Sequence, residues 1–89
     1  MAKKRTKIEI IHDMLQAILS KGKIKPTHVM YKANLSHNLL KGYLEELLEK
    51  EMIKEVEERN YTYLVITDKG VEFLNEFRKM KDFQETFGL

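Results

Sequence analysis

Eighty-nine residues without a cysteine, 43% of them hydrophobic and 34% charged, describe one small ordered domain. They exclude a disulfide frame, thiolate chemistry and a cysteine-ligated zinc finger. The formal net charge of +2 divides unevenly: nine Lys/Arg against two acids in residues 1–41 give +7, and seven against twelve in 42–89 give −5. A basic N-terminal half of this kind suits a polyanionic partner.

The start, MAKKRTK, is basic but lacks the apolar stretch of a signal peptide. No apolar run approaches membrane-spanning length, so a cytoplasmic setting without membrane contact is expected. Residues 1–5 read as a basic arm. The first helix is predicted over residues 6–20, where Ile8, Ile11, Leu15 and Ile18 recur at spacings of three and four. Thr6 with Glu9 three residues on has the pattern of a capping box. Gly22 suits the C-terminal cap, and Ile24 with its neighbours suits a very short strand.

A short helix follows over 27–33, entered through Pro26, whose missing N–H would be unpaired at a helix start. Asn34 ends it, since asparagine accepts the left-handed conformation better than most residues. Ser36 then caps a third helix over 36–50. Leu40, Leu44, Leu47 and Leu48 form its buried stripe, with Leu39 and Tyr43 at the edges. His37, Asn38, Lys41, Gly42, Glu45 and Glu49 are left outside. MIKEV (52–56) and YTYLVI (61–66) read as strands joined by a hairpin, with Asn60 the best turn residue. In TDKG (67–70), Thr67 caps a last helix, Asp68 complements its dipole and Gly70 is tolerated in the first turn.

The order is helix, short strand, helix, tight turn, helix, hairpin, helix. A short helix joined by three or four residues to a longer one is a helix-turn-helix, and the hairpin after it makes a wing. The fold class is mainly α with a small β-hairpin (α+β): one domain over 1–89, with a core at 6–66 and a C-terminal helix over 67–89. The stretch KPTHVMYKANLSHNLLKGYLEELLEKEMI, followed by YLVITDKGVEFL, resembles the small archaeal winged-helix DNA-binding proteins over residues 6–80. These include predicted transcriptional regulators and chromatin-type proteins that dimerise through a C-terminal helix.

The resemblance implies a DNA-binding homodimer, a regulator or chromatin-associated protein of the nucleoid, whose recognition helix spans 36–50. Asn38 would pair with adenine, and Lys41 would reach guanine or a phosphate. Ser36 and His37 would lie at the helix start near phosphate. Thr27, His28 and Tyr31 would fix the DNA backbone, and Lys3, Lys4 and Arg5 would form a flexible arm beside the duplex. Arg59 is the one cation in the wing VEERNY, where Glu57 and Glu58, with Glu55 just before them, argue for weak wing contact. Phe73, Phe77, Met80, Phe83 and Phe87 would meet a second copy.

Other chemistries find little support. His12, His28 and His37 lack the convergent ligands zinc requires, and adjacent His12 and Asp13 should diverge on a helix. No phosphate loop, nucleophile elbow or zinc-protease motif is present, so neither an enzyme, a cofactor nor a small-molecule ligand is expected. The alternative reading is a protein-interaction module on the winged-helix frame that does not bind DNA. The acidic wing and the acidic end of the third helix favour it.

Overall fold

The computed structural model describes residues 4–89. Helix α1 (Lys7–Lys21) starts at the expected capping box: Thr6 Oγ1 accepts from the Glu9 N–H, and Glu9 Oε1 accepts from the Thr6 N–H. Ile11, Met14, Leu15, Ala17 and Ile18 are its buried residues. Ile8, expected in that stripe, is exposed. After Gly22 the chain extends, and Ile24 bridges to the sheet.

Helix α2 (Pro26–Lys32) has Lys25 as its N-cap residue, with no side-chain cap bond. Asn34 takes φ 54°, as its position in the turn requires, and the Leu35 N–H returns to Met30 O at 2.9 Å. This reversal drives Ala33 and Leu35 inward. Helix α3 (His37–Glu49) is capped by Ser36, whose Oγ accepts from the Leu39 N–H. Leu40 and Leu47 are buried, whereas Leu39 is 49% exposed and lies on the open side of the helix.

Strands β1 (Ile53–Glu58) and β2 (Tyr61–Ile66) pair antiparallel, Ile53 with Ile66 through Glu58 with Tyr61. Arg59 and Asn60, at φ 51° and 69°, form the two-residue turn, the left-handed pair a tight right-twisted hairpin needs. Helix α4 (Asp68–Phe87) follows at once. Its start is a locked joint. Thr67 Oγ1 accepts from the Gly70 N–H and donates to Glu51 O at 2.6 Å, while the Thr67 N–H donates to Met52 O.

One core joins α1, the α2–α3 turn, α3, the sheet and the start of α4 through Met14, Leu15, Ile18, Ile24, Val29, Leu47, Ile53, Leu64 and Leu74. A twenty-residue helix is about 30 Å long, so α4 runs on past this core. The molecule measures 49 × 32 × 21 Å.

Candidate nucleic-acid interface

The first turns of α3 are held from behind by Leu40 and from the end by Ser36, so the residues between them project without strain. His37, Asn38 and Lys41 are exposed there and make no hydrogen bond or ion pair among the described residues. Lys41 does not pair with Glu45. The helix start adds its partial positive charge, so this end presents donors and cationic character together. Gly42 completes the surface. A Cβ built on it would meet nothing within 4 Å, so the backbone is open to approach there.

Thr27, His28 and Tyr31 line the neighbouring exposed side of α2, with Tyr31 75% exposed. Lys4 is exposed as well, and Lys3 lies outside the described residues.

Arg5 is not part of a flexible arm. Its Nη1 donates to Asp13 Oδ2 at 2.7 Å and its Nη2 donates to Asn34 O at 2.9 Å. It ties the entry of α1 to the helix-turn-helix turn, which removes it from the freely reaching cations. Asp13 also engages His12, whose Nδ1 lies 3.1 Å from Asp13 Oδ1. The two side chains therefore converge. Adjacent helical residues can meet in this way because the imidazole is pinned flat against Phe77, with ring centroids 4.2 Å apart.

Two features were not legible in the sequence. Lys7 reaches α3, where its Nζ donates to Glu46 Oε1 at 2.7 Å. That hydrogen bond raises the Lys7 pKa above the usual lysine value. Lys7 thus stands beside Asn38, Leu39, Gly42, Tyr43 and Glu46 at the edge of the recognition surface and neutralises one of the acids of α3. Only the packing of α1 on α3 brings it there, across 39 residues of sequence.

The second feature is the division of charge on the wing. Strand alternation places Glu55 and Glu57 on the face of Ile53, Leu64 and Ile66, and Glu58 on the opposite face with Tyr61 and Tyr63. Glu58 accepts from Lys23 Nζ at 2.6 Å, a bond that raises the lysine's pKa against the opposing effect of desolvation. The wing is therefore less acidic on one side than its sequence reads. Arg59 stands exposed at the tip.

The expected dimer face divides in two. Phe77 is buried within the chain against His12, and Phe73 packs partly against the core. Met80, Phe83 and Phe87 are exposed, the last two at 57% and 64%, with Phe83 and Phe87 rings 4.8 Å apart. Among the described residues no three His, Asp or Glu side chains converge as a metal site would need, and no helix is long and apolar enough to cross a membrane.

Comparison with known proteins agrees with this architecture. No curated protein matches the sequence significantly. Among solved structures the chain is similar to Sso10a-2, a DNA-binding protein from Sulfolobus solfataricus, with TM-score 0.79 and 23% identity over 93% of this chain and 85% of that one. It is similar to F-93 of SSV1 with TM-score 0.66 and 18% identity over 96% and 97% of the two chains. It is also similar to the transcriptional regulator Tm0710 of Thermotoga maritima, with TM-score 0.70 and 23% identity over 88% of this chain but 57% of that longer one. At such identities these likenesses establish the fold. The family model described as winged helix-turn-helix matches residues 4–85, nearly the whole chain, and the protein belongs to that family.

Proposed function

We propose that this protein binds duplex DNA as a homodimer and acts as a transcriptional regulator or chromatin-associated protein of the nucleoid. The observation that carries the reading is the N-terminal half of α3, where Asn38 and Lys41 are exposed and uncommitted around the open backbone of Gly42. A polar, cationic helix end with a capped start is what a major groove accepts. Asn38 would read an adenine edge, and Lys41 a guanine or a phosphate. His37, Thr27, His28, Tyr31 and Lys4 would hold the DNA backbone. Glu45 and Glu49, further along the same helix, would lie beyond the duplex. Sso10a-2, itself described as DNA-binding, supports the reading by likeness of fold. The role is recognition rather than catalysis, and it calls for no cofactor.

The second copy would meet Met80, Phe83 and Phe87, which recur at spacings of three and four on the projecting part of α4. A two-fold dimer would set two recognition helices on successive turns of the major groove, about 34 Å apart.

Duplex titration at several salt concentrations tests the reading. Affinity should fall steeply with salt as phosphate-bound counterions are released, and Lys41→Ala and Asn38→Ala should weaken binding without lowering thermal stability. Absence of binding at low salt, or indifference to both substitutions, would overturn it. The exposed acids Glu45, Glu49, Glu55 and Glu57 would then favour a module that binds protein instead.

A further inference from the structure

The small sheet carries a surface that the α3 interface does not use. Beyond the β1–β2 hairpin, Ile24 adds a third position on the other edge of β2: Leu64 N–H donates to Ile24 O at 2.7 Å and Ile24 N–H donates to Leu64 O at 3.1 Å. Ile24 and Leu64 are both buried, so the side chains flanking Ile24 emerge on the opposite face. Those are Lys23 and Lys25, and they meet Tyr63 and Tyr61, which alternate with Leu64 on β2. Lys23 Nζ lies 4.9 Å from the Tyr63 ring centroid and Lys25 Nζ lies 4.1 Å from that of Tyr61. The two rings are 6.5 Å apart, and Tyr61 is 55% exposed.

Strand pairing puts Lys54 on the same face as Tyr61 and Tyr63, with Glu58 its one strand acid. Three lysines (Lys23, Lys25, Lys54) thus oppose one glutamate, while Glu55 and Glu57 project from the other side.

We propose that this outer sheet face binds single-stranded nucleic acid, with bases stacked on Tyr61 and Tyr63 and phosphates held by Lys25 and, in exchange for its bond to Glu58, by Lys23. Tyrosines at alternate positions of a strand, Tyr61 exposed and Tyr63 half-buried, offer ring faces to successive bases, and the ammonium now over each ring would move off it to the phosphate between them. A duplex hides its base faces and gains nothing from the rings, so charge and aromaticity together select the single strand. The contacts are independent of α3. Stacking on tyrosine is tolerant of base identity, so little sequence preference is expected.

Anisotropy titrations of the full chain with labelled oligothymidylate and oligouridylate of about twelve nucleotides, at low salt, test this. Binding of at least one is expected. Tyr61→Phe should keep the affinity. Tyr61→Leu, which retains an apolar strand residue but removes the π face, should lower it roughly tenfold. Lys25→Gln should lower both the affinity and its salt dependence, and Lys41→Ala should leave single-strand binding unchanged. Three outcomes would overturn the proposal: no binding of either oligomer, equal binding by Tyr61→Leu, or a loss with Lys41→Ala as large as with Tyr61→Leu. The last would place the strand on α3.

Discussion

At the scale of single residues, the two helical glycines have opposite meanings. A Cβ at Gly70 would stand 2.4 Å from Met52 O and 2.6 Å from Ile66 Cγ1. That carbonyl is fixed by the Thr67 N–H, so it cannot retreat without disturbing the α4 joint. Gly70→Ala should therefore destabilise by about 2–3 kcal/mol in urea unfolding, as overpacking does. Gly42→Ala meets open space and should stabilise by about 1 kcal/mol through helix propensity. If the backbone approaches DNA at Gly42, the same substitution should weaken duplex affinity; unchanged or tighter binding removes that close approach. By sequence Gly42 is a weak spot in a helix interior and Gly70 is merely tolerated in a first turn; what stands opposite Gly70 is legible only once the sheet and α4 are packed. Arg59 poses the reverse question. It holds φ 51° at a turn position where asparagine or glycine is less strained. Arg59→Asn should raise stability by up to about 1 kcal/mol. A simultaneous loss of duplex affinity would mean that the strain is retained for the cation at the wing tip; unchanged affinity would remove Arg59 from the interface.

At the scale of elements, the helix-turn-helix is braced from α1. Arg5 joins Asp13 on α1 to the carbonyl of Asn34 in the turn that aims α3. Arg5→Ala should lower stability by about 1 kcal/mol, since the ion pair is partly screened and a hydrogen bond is lost with it. Duplex affinity should fall through misplacement of α3, with a smaller change in salt dependence than Lys41→Ala gives. A loss of salt slope as large as that of Lys41→Ala would restore Arg5 as a phosphate contact. Apolar spacing made the helices legible, and cap residues located their starts: Thr6, Ser36 and Thr67 each accept a backbone N–H as their positions suggest. Local rules reach that far. They do not reach the bond of Lys7 to Glu46, the grip of Lys23 on Glu58, or the pleat that puts Glu55 and Glu57 on one side and Glu58 on the other. A linear reading adds the wing acids together. The sheet divides them, and that division is what gives the outer face its lysine–tyrosine character.

At the scale of the whole molecule, the question is how far the α4 aromatics serve the monomer. Phe77 is buried against His12, and Phe73 packs partly on the core, so both contribute to folding of the single chain. The later aromatics follow the same three-and-four spacing, which is why periodicity alone runs all five residues into one stripe. What separates them is length. The core ends near Phe77 while the helix continues for nearly three more turns, and no other part of the described chain covers Phe83 or Phe87. Substitution should separate the two groups. Phe77→Ala should destabilise by about 3 kcal/mol or more, because it opens a cavity between α1 and α4. Phe83→Glu should leave the unfolding transition of the monomer nearly unchanged, since a charge at an already exposed position is well hydrated. If α4 is the homodimer contact, the same change should shift sedimentation equilibrium to monomer and reduce duplex affinity, because two half-sites then bind without linkage. A chain that remains dimeric with glutamate at both 83 and 87 would place the two-fold contact elsewhere. A wild-type chain that is monomeric at all accessible concentrations would leave each recognition helix to bind its half-site alone.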